Sequence, residues 1–340
     1  MNFLVLTPDG VGSTYLQKAL TVYLNASGKD YYNSHELLNG LELDNNKNLY
    51  KVMKGYRQSL EEICGLLDAN EGNIISRLAQ YHVENRQTGQ IPKPPKGVLL
   101  RGRERRRISF EVAMVEHKER NSKEDYIPFY KKCNSAFHRI LYCVRDPFEY
   151  SLSWSIRDIT GKFNVFSMEE RIETHGAGDE YKIDLDFMRT KLEQYNRYLY
   201  WVKDNFPNAI KVEYNDLHKD VDLVLSDITG SDYSMKNSWG FSLQEYSTLL
   251  YKMSSFYNPK LEYSDKLMRY QKELIQSHKL YREGMPIKMN TLSDKSKCIS
   301  NFLECLDTYN DFANSSNEFP NISQFDIYKL VAKENKIYEH

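Results

Sequence analysis

The N-terminal stretch joins a short apolar run to an amphipathic segment, with glycines between the two. Residues 3–6 are Phe-Leu-Val-Leu, and apolar positions recur at helical spacing from Ser13 to Tyr23. The pattern predicts a strand, a turn that contains Gly10 and Gly12, and a helix. Backbone N–H groups in such a turn, together with the helix N-terminus, suit a phosphate or sulfate without a metal.

The rest of the chain repeats this alternation of strand-like and helix-like segments. Apolar positions recur every three or four residues in several segments, which predicts helices. Further apolar runs predict strands. The predicted helices cover residues 56–68, 72–85, 124–137 and 185–202, the further strands cover 31–33, 97–100, 139–145 and 209–214, and residues 218–335 are mostly helical.

This order of elements predicts an α/β protein with a central, mainly parallel sheet flanked by helices. No stretch has the composition of a linker, so we predict a single domain over residues 1–340. Its C-terminal part, 240–340, is largely helical. Segments 38–96 and 161–184 are interpreted as insertions that shape a substrate site, with loops at 38–54 and 161–184.

Polar residues follow two of the predicted strands, where a parallel sheet places its ligand crevice. His35 and Glu36 come after the second strand, although Ser34 in front of them could instead cap a helix. Arg101 and Arg103 follow the third strand and begin an arginine-rich run. Arginine binds phosphate or sulfate as a fork, but most of this run also fits a solvated helix start.

A second candidate anion pocket follows the strand at 139–145. Arg145 ends that strand, and Asp146 can cap a helix whose first residue is Pro147. Ser153 lies two turns into this helix. An arginine at a strand end and a hydroxyl on the next helix form a pocket separate from the glycine turn.

Composition narrows the class of protein. The 46 Lys and Arg residues nearly balance the 47 Asp and Glu residues, so the net charge of −1 predicts no general attraction to nucleic acid or anionic membranes. No apolar run is long enough for a transmembrane span, and no secretory signal is recognisable. Five cysteines without a CxxC pair favour a reduced, cytoplasmic protein.

Three stretches together resemble the sulfotransferase family, whose donor is 3′-phosphoadenosine 5′-phosphosulfate. Gly12-Ser13-Thr14-Tyr15-Leu16 is similar to the family's 5′-phosphosulfate loop. The run from Arg145 to Pro147, with Ser153 eight residues after the arginine, is similar to its 3′-phosphate motif. The stretch 212–217, Val-Glu-Tyr-Asn-Asp-Leu, resembles the Y-E-D-L stretch that follows the next strand in many members.

The resemblance implies a three-layer, P-loop NTPase-like fold and a metal-independent sulfuryl transfer to a hydroxyl or amine. It implies that Arg145 and Ser153 hold the 3′-phosphate and that basic C-terminal residues close over the phosphates. The residues implied for the 5′-phosphosulfate are Gly10, Val11, Gly12, Ser13, Thr14 and Tyr15, and those for closure are Arg282, Lys288 or Lys295.

The resemblance also implies a catalytic base soon after the second strand, for which Glu36 and His35 are both candidates. The family normally carries Lys or Arg two residues before the central glycine of the loop, to stabilise the leaving group. Gly10 occupies that position in this chain. The missing charge would then come from Arg101, Arg103 or the basic C-terminal residues.

Two other functions remain open at this stage. A phosphotransferase of the phosphate-loop class is one, although the loop lacks the usual lysine after Gly12. A non-catalytic nucleotide-binding module is the other. For a sulfotransferase, a carbohydrate, a lipid or another small molecule would each fit as the acceptor.

Overall fold

The computed structural model describes residues 1–8, 10–26, 31–51, 57–89, 115–160, 180–230, 292–316 and 319–323. These residues form two compact units. The described residues of the first unit come from 1–89, 115–144 and 201–230, and those of the second come from 145–200 and 292–323.

The first unit is built on a five-stranded sheet in which every neighbouring pair of strands is parallel. The strands of the described chain are β1 (Phe3–Thr7), β2 (Tyr31–Glu36), β3 (Leu41–Leu43), β4 (Leu49–Lys51), β5 (Asn73–Ala79), β6 (Arg139–Val144) and β7 (Ile210–Glu213). The order across the sheet is β2-β5-β1-β6-β7, and β3 and β4 form a separate antiparallel pair.

Helices alternate with the strands along the chain. They are α1 (Ser13–Ala26), α2 (Leu60–Ala69), α3 (Gln80–Thr88), α4 (Tyr126–Ala136), α5 (Pro147–Thr160), α6 (Leu185–Asn205), α7 (Tyr214–Lys219), α8 (Val221–Thr229), α9 (Leu292–Cys298) and α10 (Phe302–Ser316), with further helical residues at 115–123 and a 3-10 turn at Leu37–Asn39. The prediction of an α/β fold with a mainly parallel sheet is therefore confirmed.

The centre of the sheet is β1, and all five of its residues are buried. It pairs with β5 on one side and with β6 on the other. Helix α1 follows β1 and packs against β1, β2 and β5. Within the described chain, β1 is followed by β2 on one side of it, and β5 is followed by β6 on its other side. Ligands in open α/β sheets bind at the carboxyl ends of the strands where the strand order changes direction in this way.

The predicted helix at 72–85 was wrong. This stretch forms strand β5 and then helix α3, and β5 lies between β1 and β2. A strand buried on both faces reads as a continuous apolar run, and its spacing of Ile74, Ile75 and Leu78 also fits a helix. Segment 38–96, expected to be an insertion, thus contributes an internal strand of the sheet.

Two loop predictions in the same region were also wrong. Strand β2 continues through Ser34, His35 and Glu36, because His35 pairs with Ser76 and Glu36 with Arg77 on β5. The register shifts at Ser34, whose buried hydroxyl forms a hydrogen bond with that of Ser76. The Asn-rich segment 38–54 contains the β3–β4 hairpin. Its turn is held by the Asp44 carboxylate, which accepts hydrogen bonds from backbone N–H groups within the turn.

The second unit has its own apolar core, formed by α5, the first part of α6, α9 and α10. Phe148 lies at its centre, with its ring centroid 5.7 Å from that of Phe302 and 5.4 Å from that of Tyr309. Tyr181 and Ile299 form an isolated parallel bridge. The helical prediction for 185–202 is confirmed by α6.

Several expectations fall outside the described residues. They concern the strand at 97–100, the arginine run at 101–107, the segment 161–179 and most of the C-terminal part before Leu292. All five cysteines lie in the described part and are free thiols. None of the helices in that part combines the length and apolarity needed to cross a membrane.

Candidate active site

The glycine turn between β1 and α1 is shaped by two residues with positive φ. Gly10 has a φ of 77° and Gly12 a φ of 78°, a region that favours glycine. Gly12 also has no room for a side chain, since a Cβ there would lie 2.7 Å from Cδ2 of Tyr214. The predicted strand–turn–helix is confirmed, and Tyr214 from the 212–217 stretch packs directly on it.

Helix α1 begins inside this turn. The Gly12 carbonyl accepts the first helical hydrogen bond, from the N–H of Leu16 at 2.9 Å. The N–H groups of Ser13, Thr14 and Tyr15 therefore belong to the first turn, where a helix has no acceptor of its own to offer. They supply the donors and the positive end of the helix dipole that an anion at this position would use.

A cation that the sequence did not predict lies beside these residues. Arg77 on β5 donates from Nη1 to Oγ1 of Thr14 at 2.7 Å and to Oγ of Ser13 at 3.5 Å. The opposite edge of the same guanidinium, Nε and Nη2, pairs with Oε1 of Glu36 on β2. Arg77 is in register with both Val5 and Glu36, so the strand pairing itself sets its position.

This arrangement is electrostatically suited to an anion. The guanidinium and the N-terminus of α1 are both positive, and the Glu36 carboxylate offsets the cost of holding them together. Glu36 is only 2% exposed and the Arg77 side chain 12%. An anion that contacts both the turn and Arg77 would receive charge-assisted hydrogen bonds, which are roughly twice as strong as neutral ones.

The two candidates for the catalytic base have different positions on β2. Glu36 is the last residue of the strand, and its second oxygen, Oε2, lies 3.6 Å from Nδ1 of His82. His35 is the preceding residue and is in register with Ser76 on β5. The structure thus brings Glu36 to the turn through Arg77 and adds an imidazole beside it.

Tyr15 lies at the base of the turn and is half-buried. Burial, with a smaller contribution from the negative charge of Asp222 and from Tyr214, raises the pKa of the Tyr15 phenol to about 12. Its hydroxyl therefore stays protonated at neutral pH. Tyr15 can donate a hydrogen bond there but does not act as a base.

The second candidate pocket lies in the second unit, where Arg145 directly follows β6. Arg145 is 7% exposed, and its Nε lies 3.2 Å from Oε2 of Glu149 one turn into α5. The Tyr195 hydroxyl accepts from the Arg145 N–H at 2.8 Å and donates to the Arg145 carbonyl at 2.7 Å. Ser153, one turn beyond Glu149 along α5, is half-buried.

A second cation reaches the same carboxylate. Nζ of Lys295 on α9 lies 3.8 Å from Oε1 of Glu149 and 3.4 Å from its carbonyl oxygen, and Lys295 is 1% exposed. Asp146 caps α5 as predicted, because its carboxylate accepts the Glu149 N–H at 2.8 Å. Two buried cations and two carboxylates are thus gathered around the N-terminus of α5.

The capping carboxylate gives this cluster a testable pH dependence. Burial raises the pKa of Asp146 from 3.8 to about 6, and the Glu149 N–H only partly opposes the rise. A folded-state pKa above the unfolded value means that stability falls as the pH rises from about 4 to about 6. We expect Asp146→Asn to be more stable than the wild type by about 1–3 kcal/mol at pH 8, because Asn carries no charge and still caps a helix.

Urea unfolding of the wild type and of Asp146→Asn at pH 3.5 and at pH 8 measures the effect. The two proteins should differ little at the lower pH and by the full amount at the higher pH. A difference that is the same at both pH values would contradict the assigned pKa, and Asp158→Asn, on the same helix, serves as the control.

Two residues of the site escaped the sequence analysis because the stretch 72–85 was interpreted as one helix. They are Arg77 and His82. The signal that was available is the pair of β-branched residues Ile74 and Ile75 directly after Gly72-Asn73, which is typical of a strand that begins after a turn.

The remaining candidate residues from the sequence lie outside the part of the chain that the structure describes. They are Arg101, Arg103, Arg282 and Lys288, and their proposed roles stay predictions. In comparisons with known proteins, no family model and no curated protein matches this chain.

Proposed function

We propose that this protein is a sulfotransferase that moves the sulfuryl group of 3′-phosphoadenosine 5′-phosphosulfate to a hydroxyl or amine. The observation that carries the proposal is a convergence of positively polarised groups in the first unit. There, the Gly10–Gly12 turn, the N-terminus of α1 and the Arg77 guanidinium converge at the carboxyl end of the central strand. A P-loop-like fold would place the 5′-phosphosulfate on this turn.

Arg77 supplies what the loop itself lacks. A basic residue is expected near the leaving phosphate, and Gly10 stands where the loop would carry it. The guanidinium of Arg77 contacts the Thr14 and Ser13 hydroxyls from the neighbouring strand. It would therefore stabilise the charge that develops on the leaving phosphate oxygen and on the planar sulfuryl group.

The second motif fits recognition of a 3′-phosphate. Arg145 is fixed by Tyr195 and Glu149, and Ser153 lies on the same helix. Lys295 adds a second cation at Glu149 and becomes the best supported of the proposed C-terminal basic residues. A 3′-phosphate bound there would distinguish this donor from ATP.

Titration calorimetry tests the choice of donor. We expect adenosine 3′,5′-bisphosphate to bind without metal and more tightly than ATP with Mg²⁺. Arg145→Gln should weaken the bisphosphate about 10- to 100-fold and adenosine 5′-monophosphate much less, since a hydrogen bond to a charged group contributes about 1.5–3 kcal/mol.

The matched control is Arg139→Gln, at the exposed start of the same strand β6, which should leave both affinities unchanged. Tighter binding of ATP with Mg²⁺ would instead favour a phosphotransferase and overturn the proposal.

Transfer itself is measured with donor carrying labelled sulfate and a panel of phenol, hexose and hexosamine acceptors. Water serves as the acceptor in a parallel hydrolysis assay.

A further inference from the structure

We propose that His82 is the catalytic base of this site and that Glu36 is a positioning residue that orients it. This inference rests on the proposed sulfuryl transfer. The two bases expected from the sequence, Glu36 and His35, lie on β2, whereas His82 lies on α3. His82, Glu36, Arg77 and Thr14 all belong to the first unit.

The two oxygens of Glu36 have separate partners. Oε1 receives both Nε and Nη2 of Arg77, and Oε2 faces Nδ1 of His82 at 3.6 Å. That separation lies within ion-pair range and is longer than a hydrogen bond, as is common for catalytic pairs before substrate binds. The contacts form a continuous chain from Thr14 at the turn through Arg77 and Glu36 to His82.

Glu36 is poorly suited to accept a proton itself. Protonation would remove the counter-charge of Arg77 while that side chain is almost buried, and breaking such a pair is strongly destabilising. Protonation of His82 would instead place a positive charge beside the Glu36 carboxylate. Histidine changes charge near neutral pH, and an adjacent carboxylate stabilises the imidazolium that forms when it takes a proton.

The position of His82 agrees with this role. It lies in the first turn of α3, which begins directly after β5, so it is near the carboxyl end of the strand next to β1. The His82 side chain is 11% exposed. The Tyr81 ring lies edge-on to the imidazole, with the two ring centroids 4.3 Å apart.

The step that follows conserves atoms and charge. The acceptor oxygen attacks the sulfur of the donor and forms a new S–O bond, and the bond between sulfur and the bridging phosphate oxygen breaks. The acceptor proton passes to Nε2 of His82, while Nδ1 faces Glu36. The bond electrons remain on the leaving phosphate of adenosine 3′,5′-bisphosphate beside Arg77, and the imidazolium later returns the proton to solvent.

The test compares His82→Ala with the wild type in hydrolysis of the labelled donor. We expect the bisphosphate affinity to stay within about threefold and turnover to fall about 10²- to 10⁴-fold, the usual contribution of a general base. Added imidazole should restore part of the turnover in His82→Ala only. His138→Gln, at the opposite end of the sheet where His138 binds the Asn2 N–H, is the control.

A second measurement tests Glu36 without relying on turnover. NMR titration of the His82 imidazole should show a lower pKa in Glu36→Gln than in the wild type, and the pH–rate profile should shift by the same amount. Unchanged turnover in His82→Ala, or an unchanged imidazole pKa in Glu36→Gln, would overturn the inference. Absence of bisphosphate binding and hydrolysis in the wild type would instead reject the sulfotransferase itself.

Discussion

Replacing Arg77 with methionine is expected to destabilise the first unit by about 3–5 kcal/mol and to abolish anion binding at the turn. The loss of stability arises because the Glu36 carboxylate, 2% exposed, loses the partner that compensates its burial. The loss of binding arises because the Thr14 and Ser13 hydroxyls lose the only described guanidinium that contacts them. Urea unfolding and calorimetry with adenosine 3′,5′-bisphosphate measure the two losses.

The double variant Arg77→Met/Glu36→Gln separates the two effects. Removing both charges of a buried pair is often nearly neutral for folding, so most of the stability should return. Anion binding should remain at least about tenfold weaker, because the charge-assisted contact is still missing. If the double variant is stable and binds the bisphosphate like the wild type, Arg77 has only a structural role and the proposed function loses its carrying observation.

Gly12→Ala is expected to have the second large effect. It should lower the free energy of unfolding by about 2–5 kcal/mol and abolish donor binding. Positive φ contributes about 1–2 kcal/mol of this cost for a residue with a side chain. The remainder comes from overpacking, which costs about 1–3 kcal/mol, because the new Cβ would lie 2.7 Å from the Tyr214 ring. The ring or the turn must move, and the N–H groups at the start of α1 move with the turn.

Gly230→Ala is a matched control for this prediction. Gly230 has a φ of 67°, close to the 78° of Gly12, but a Cβ there meets nothing within 4 Å. Its substitution should therefore show the backbone cost alone. A double-mutant cycle with Tyr214→Ala should recover the steric part in the Gly12→Ala background. Equal losses for Gly12→Ala and Gly230→Ala would mean that Tyr214 does not constrain the turn.

The elements that were predicted correctly are those whose signal is local. The apolar run of β1, the glycines at 10 and 12 and the periodicity of α1 are all contained within one short stretch. The Asp146 cap with Pro147 at the start of α5 is equally local. Such signals depend on φ preferences and hydrogen bonds between residues a few positions apart, so the sequence expresses them directly.

The elements that were missed depend on burial. Whether Ile74, Ile75 and Leu78 form a helix or a strand is decided by β1 and β2, which pair with the two edges of β5 and make it an internal strand of the sheet. The error concealed Arg77 and His82, because a helix would have sent their side chains in other directions. The same error hid the ion pair between Arg77 and Glu36, so that Glu36 was interpreted as a candidate base.

The glycine turn after the first strand, and the arginine and serine that follow a later strand, are recognisable from residues that lie close together in the chain. The identity of the cation at the turn depends instead on long-range contacts, because Arg77 and Glu36 are 41 residues apart and meet through the register of parallel strands. A parallel pair has no short connection that would reveal its register in the sequence. The guanidinium beside the glycine turn therefore comes from a neighbouring strand, and its position depends on residues that are distant in the sequence.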